Sequence, residues 1–289
     1  MKAGNSESGP SAATVAKAVQ EMLGKAVCEL PKDAVRALEK AHDGETDKVA
    51  KAQLALILKN IGLAAKKKAP MCQDTGTLTF YVRGERLGKE VADGVRDGVR
   101  KATESVPLRP NSVDPISRKN LGNEPIINYE VADVGKGCVE ISVIPKGAGC
   151  ENMSALAMLT PADGIDGAKK FILRTVAQKG KNACPPLTIG IGIGGTSEQA
   201  AELAKKAFLS PLDEHNKDKR LAELEAELLA AINALELGTM GLGGNTTALA
   251  VKINMAPTHT ASLPVALNMQ CWAQRKATVK ICGDEIEIL

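Results

Sequence analysis

From Thr14 to Lys67 apolar side chains return every third or fourth residue, as at Val15, Val19, Met22 and Leu23, and alanine is frequent, so this stretch predicts two or three helices. Pro31 marks a helix start after the first break. The period then changes: Leu78 to Val82 reads as a strand and Val91 to Val106 as an amphipathic helix. Ile126 to Val131 and Val139 to Ile144 alternate as strands do, with Gly135-Lys136-Gly137 as a turn between them. Leu108 to Glu124, broken by Pro, Asn, Asp and Gly, predicts a long loop, and loops of that length carry function or lack order. Farther on, Asp166 is placed to cap a helix reaching Gln178, and Leu187 to Ile193 is an apolar strand, β-branched at alternate positions. Ser197 to Leu209 and Leu221 to Leu237 have helical spacing, and Ala248 to Leu289 is rich in strands. Helices and strands alternate, which predicts an α/β fold of mixed sheets flanked by helices behind a helical N-terminal region.

Met1 to Ala13, polar and rich in Ser and Gly without an apolar core, predicts a disordered start and no signal peptide. Residues 14–289 then form one domain with room for two lobes, and no internal repeat is visible. A chain of 289 residues buries a substantial core, and with aromatics at only 2% that core is built of Ala, Leu, Ile and Val. The formal charge of +3 gives no reason to expect nucleic acid or a membrane surface, and the scarcity of aromatics removes stacking platforms for single strands. No apolar run approaches spanning length, so a soluble, cytoplasmic protein is expected. Seven cysteines, an odd number spread over a large chain, do not form the framework of a small secreted domain, and some of them are expected as thiolate ligands.

Candidate chemistry concentrates at Met71-Cys72-Gln73-Asp74-Thr75-Gly76. A thiolate there can bind a soft metal, the adjacent amide can hydrogen-bond a substrate, and the carboxylate can carry a proton; the plain alternative is a buried cysteine in a turn. Gly190, Gly192, Gly194 and Gly195 follow a strand and open a helix, a layout whose free N–H groups can cradle an anion, with Gly194 and Thr196 as substrate-binding candidates. A nucleotide loop is excluded because no Gly-Lys-Ser/Thr follows, and a dinucleotide fold because the nearest acidic pair, Asp213-Glu214, comes after a helix. Of the three histidines, His42 and His215 sit in polar company and read as solvated. Cys28, Cys138 and Cys282 are expected to serve packing or to be incidentally exposed.

Five separated segments together resemble one family. They are CQDTG from Cys72, GAGCENMS from Gly147, CPPLTIGIGIGGTSE from Cys184, GLGGNTTALAVKI from Gly241, and HTASLP from His259 with Cys271 downstream. In this order the chain, from about Thr14 onward, resembles the alpha subunit, or matching N-terminal domain, of class I iron-sulfur fumarases and L-tartrate dehydratases. The resemblance implies a 4Fe-4S cluster held by Cys72, Cys184 and Cys271 with one iron left open as a Lewis acid. It implies an active-site role for His259 and a carboxylate-binding role for Arg109, with the nearby Arg118 as the rival clamp. Gln73 would position substrate and Asp74 is the acid/base candidate on this chain. At Cys150 the family often carries Ser, so that thiol is not required.

The expected function is the alpha subunit of a hydro-lyase interconverting fumarate and L-malate, with a dicarboxylate substrate. The resemblance assigns a proton-transferring threonine and further basic ligands to a beta subunit, so a fumarase beta partner in a heterotetramer is expected. The alternatives are an L-tartrate dehydratase alpha subunit and, from another class, a non-catalytic iron-sulfur or redox protein.

Overall fold

The computed structural model describes residues 9–85 and 87–289. In chain order, the elements begin with helices α1 (Ala12–Cys28), α2 (Lys32–Gly44) and α3 (Lys48–Lys67), then strand β1 (Thr77–Gly84) and α4 (Lys89–Ser105). Next come β2 (Ser112–Val113), β3 (Asn120–Gly122), β4 (Ile126–Val131), β5 (Cys138–Lys146), α5 (Ala148–Glu151) and β6 (Ala155–Leu159). The remainder is α6 (Gly164–Lys179), β7 (Leu187–Gly194), α7 (Ser197–Lys206), α8 (Lys219–Asn233), β8 (Ala248–Ala256), β9 (Leu263–Gln270), β10 (Ala277–Cys282) and β11 (Glu285–Ile288). This is the mixed α/β class with a helical N-terminal region. Most of the initial Met1–Ala13 segment lies outside the described residues, but Ala12 and Ala13 already form the first turn of α1, because the Ser11 hydroxyl accepts the Thr14 N–H and caps it.

The chain divides into two compact units. The first comprises residues up to Pro31, Ile61–Gly147 and Arg275–Leu289, and the second Lys32–Asn60 and Ala148–Gln274.

The first unit is a five-stranded sheet in the order β11-β10-β5-β1-β4, packed against α1 and α4. Val15, Val19, Met22 and Leu23 of α1 and Val91, Val95 and Val99 of α4 close over Phe80, Val82, Ile141 and Val143. Each such side chain contributes about 1.5–3 kcal/mol by leaving water. β1 runs antiparallel to β5 and parallel to β4, so it separates the two strands that the sequence places on either side of Gly135-Lys136-Gly137. A turn exists there, but the strands flanking it are not neighbours. Apolar alternation marks a strand; it carries no information about which other strand completes its hydrogen bonds. The predicted long loop holds a small hairpin, β2 with β3.

The second unit is a four-stranded sheet, β6-β9-β7-β8, with β7 and β8 parallel and β9 antiparallel to both β6 and β7. The Ile-Gly alternation in β7 has a packing cause. Ile189, Ile191 and Ile193 join the cluster formed with Ile172 and Val176 of α6 and Leu228 and Ile232 of α8. The glycines between them point the other way, where a Cβ on Gly190 would stand 2.1 Å from the Ala204 carbonyl oxygen and one on Gly192 2.0 Å from that of Ala200. Helix α7 therefore lies directly on the strand backbone. β6 is absent from the sequence expectation, and α6 begins at Gly164, with Asp166 inside its first turn. Asp163, just before the helix, is engaged by the Thr160 N–H and hydroxyl.

Among the described residues no helix is long and apolar enough to cross a membrane.

Candidate active site

In the first unit the Cys72-Gln73-Asp74 turn lies between the end of α3 and β1. Gln73 is exposed, while Cys72 and Asp74 are half-buried. Asp74 Oδ1 accepts the Gly76 N–H at 2.8 Å and the Asn111 Nδ2–H at 2.8 Å. The main chain is gripped as well: Arg275 Nη1 donates to the carbonyl oxygens of Asp74 at 2.8 Å and Thr75 at 3.2 Å. Gly147 leaves room for the carboxylate, since a Cβ at that position would sit 2.9 Å from Asp74 Oδ2.

Arg109 is exposed, two residues before Asn111, so the Asn111–Asp74 bond ties its loop segment to the turn. Arg118 is exposed too, but lies across the β2–β3 hairpin, in a left-handed conformation at φ 61° with its N–H bonded to the Asp114 carbonyl. Of the two rival clamps, Arg109 is the one on the segment anchored to Asp74. Asn111 and Arg275 were not read from the sequence. The signal for Arg275 is its position four residues after Cys271.

In the second unit Cys184 and Cys271 come together. The Trp272 N–H donates to the Cys184 carbonyl at 3.2 Å, because Cys184 leads into β7 while Cys271 leaves the adjacent antiparallel β9, where Thr188 pairs with Gln270. Cys150 packs against the same turn, its thiol directed at the Ala183 carbonyl at 3.5 Å.

Gly194, Thr196 and His259 gather at the opposite end of the sheet, beyond the carboxyl ends of parallel strands β7 and β8, the usual ligand edge of such sheets. The Gly195 N–H donates to the Pro257 carbonyl, and the Thr258 hydroxyl to the Gly195 carbonyl at 3.0 Å. His259 is exposed, and its Nδ1 accepts the Ala261 N–H at 3.1 Å, which assigns the proton of the neutral ring to Nε2. The length of β7, roughly 23 Å at 3.3 Å per residue, separates this group from the cysteine pair, so within the unit the structure does not bring His259 to Cys184 and Cys271. The predicted anion cradle is also partly filled. Glu198 folds back on the start of α7, where its own backbone N–H, then the Thr196 and Ser197 hydroxyls, hold its carboxyl below the usual carboxylate range.

The cysteines sort themselves by burial and bonding. Cys138 and Cys282, expected to serve packing or to be incidentally exposed, instead form a disulfide across the register pair that they occupy on β5 and β10. Of the five that remain, Cys28 and Cys150 are buried, whereas Cys184 is exposed and Cys72 and Cys271 are partly so. Burial, then Glu29, pushes the Cys28 thiol up, as suits a packing residue. Among the described residues no three His, Cys, Asp or Glu side chains already stand together as a metal set. The three accessible thiols nevertheless have the donor chemistry that an iron-sulfur cluster requires.

The family model described as Fumarate hydratase (Fumerase) matches residues 16–280. A protein of Methanocaldococcus jannaschii named "Putative L(+)-tartrate dehydratase subunit alpha" is 46% identical over 277 residues, 92% of this chain and 97% of that one. The L(+)-tartrate dehydratase subunit alpha of Escherichia coli strain UTI89 is 33% identical over 263 residues, 88% of this chain and 86% of that one, and its counterpart in strain K12 is 32% identical over the same length. With a match that runs through both units and takes in the Cys72 turn, the Cys184 turn and Cys271, this chain belongs to the fumarate hydratase family of hydro-lyases, as an alpha-type subunit.

Proposed function

We propose that this chain is the cluster-bearing alpha subunit of a hydro-lyase that interconverts fumarate and L-malate, and that it works with a beta subunit. The observation that carries the reading is the held Cys72-Gln73-Asp74 turn in a chain of this family: a thiol, an amide and a carboxylate, with the carboxylate engaged by Asn111 and the main chain by Arg275. Cys72, Cys184 and Cys271 would hold a 4Fe-4S cluster, three thiolates leaving one iron open. Bound there, the cluster supplies a Lewis acid for loss or addition of the hydroxyl at C2.

The remaining work belongs to side chains. Arg109 binds a substrate carboxylate bidentately, which fixes the four-carbon skeleton and offsets its charge. Gln73, exposed beside Cys72, orients the substrate through its amide. Malate dehydration requires removal of a weakly acidic C3 proton next to a carboxylate, which is eased by donors placed where negative charge grows. Asp74 is the acid/base group of this chain, and the fixed Oδ1 contacts set the direction in which it acts. The beta subunit supplies the remaining proton-transfer group. Gly194, Thr196 and His259 stand about the length of β7 from Cys184 and Cys271, farther than a four-carbon substrate at those thiols reaches, so this reading gives them no contact with that substrate.

A second reading, L(+)-tartrate dehydration, is favoured by the names of the relatives. The two substrates differ by one hydroxyl. The deciding experiment is anaerobic reconstitution of this chain with iron, sulfide and its beta subunit, followed by kcat/KM for fumarate, L-malate and L(+)-tartrate. The fumarate and malate values should exceed the tartrate value by about tenfold or more, the discrimination one unmatched hydroxyl provides; the reverse order assigns the tartrate reaction. An iron-loaded complex that turns over none of the three would refute the hydro-lyase reading of this pair.

A further inference from the structure

We infer that Arg275 is the positioning residue of the Cys72–Asp74 turn, gripping its main chain and thereby setting where the Cys72 thiol and the Asp74 carboxylate stand; the inference deepens the functional reading above and rests on it. Arg275 is 2% exposed, at the first position of the C-terminal segment that returns to the first unit. A guanidinium is costly to take out of water, so a buried one persists where its donors are used. Here one Nη1 serves two successive carbonyls, Asp74 at 2.8 Å and Thr75 at 3.2 Å. Two neighbouring carbonyls converging on one donor define the curvature of the turn, and Cys72 is two residues upstream of the first. The Nε finds no acceptor among the described residues, so the forked end carries the grip.

Gly147 forms the facing wall. A Cβ built there would stand 2.9 Å from Asp74 Oδ2 and 3.9 Å from Arg275 Nη2, so carboxylate and guanidinium both approach the same bare backbone. Asn111 then fixes Oδ1. Arg275 holds the main chain through Nη1, and Asn111 holds the side chain through Oδ1. A lysine at 275 keeps the charge but replaces the rigid planar guanidinium with a shorter, freely rotating and strongly hydrated ammonium, which does not hold one nitrogen on both carbonyls in a fixed direction.

The test uses Arg275→Met and Arg275→Lys, with Arg83→Met as a control that loosens the same unit elsewhere, since Arg83 pairs with Glu140 and Glu130. In the cluster-free chain, hydrogen exchange of residues 69–77 and the iodoacetamide trapping rate of Cys72 should both rise about tenfold in the Arg275 variants. Exchange across β5 and trapping at Cys184 should stay at the wild-type value. In the loaded complex with the beta subunit, kcat should fall by about 10²-fold with KM nearly unchanged, the result of displaced but present groups. Arg83→Met should leave the 69–77 exchange unaltered. An unchanged 69–77 segment, or exchange rising alike throughout the first unit, would overturn the proposal, as would failure of both Arg275 variants to fold. Absence of turnover in the wild-type complex would instead count against the functional reading and leave the exchange result to decide on Arg275.

Discussion

Asp74 Oδ1 is engaged by two neutral donors, and one of them, Asn111, belongs to the segment that carries Arg109. That bond is the physical reason to favour Arg109 over Arg118 as the carboxylate clamp. Arg109→Met should raise KM and lower kcat/KM by about 10²-fold, the loss of a charge-assisted pair from a partly dry site, whereas Arg118→Met should change it less than about threefold. Steady-state kinetics of the reconstituted complex decide, and the opposite ranking moves the clamp to Arg118. The cysteines permit an equally plain measurement. Serine at position 72, 184 or 271 should remove most iron and most visible absorbance on anaerobic reconstitution, while Cys28→Ser should keep both, since that thiol is buried in α1. A colourless Cys28→Ser protein of normal fold would contradict the ligand assignment.

Helix α7 reaches β7 only because glycine occupies the face between them. Gly192→Ala would put a Cβ 2.0 Å from the Ala200 carbonyl oxygen and 2.8 Å from the Ala204 nitrogen, so the helix must move. Chemical denaturation should show a loss of about 3 kcal/mol, the upper part of the overpacking range. Gly62, in α3, has nothing within 4 Å of its Cβ position, and Gly62→Ala should instead gain about 0.5–1 kcal/mol from helix propensity. The start of α7 also carries a pH signature. The depressed Glu198 carboxyl favours the folded helix end at pH above the ordinary carboxylate value, and that contribution disappears as pH falls through the depressed folded value. Amide exchange at residues 197–200 should therefore quicken on acidification, and Glu198→Gln should abolish that acid-dependent step. Equal pH profiles for the two proteins would rule out this carboxylate as the cap.

The Cys138–Cys282 disulfide closes a loop with a sequence separation of 144 and joins the C-terminal hairpin, β10 with β11, to β5. By restricting the unfolded chain, such a link is worth about 2–5 kcal/mol. Cys282→Ser should lower the denaturation midpoint correspondingly and leave iron content unchanged; an unaltered midpoint, with two additional thiols titrated in the wild type, would show that the bond is not formed in solution. The last expectation concerns the assembly. This chain, fully loaded, should not hydrate fumarate alone, because groups of such a site act as a unit and one missing proton-transfer member removes nearly the whole rate enhancement. Adding the separately expressed beta chain should restore activity and give a stable complex on a sizing column. Turnover by the purified alpha chain, with contaminating enzyme excluded, would refute the two-subunit requirement.

Local pattern carried the element types. Helical spacing in Val15, Val19 and Met22, and the Ile-Gly alternation of β7, each follow from a short repeat of the chain, and the α/β class follows from their order. The Cys72, Cys184 and Cys271 motifs were equally legible, since a family match depends on residues and their order alone. Folding decided the rest, through contacts between residues far apart in sequence. β1 came to lie between β4 and β5, Cys138 met Cys282, and Arg275 closed on Asp74. Folding also gave the β7 glycines a packing role, and it set His259 at the other end of the sheet from Cys184 and Cys271. Strand order and side-chain convergence depend on which distant surfaces bury one another, and a periodicity of two or 3.6 residues is blind to that choice.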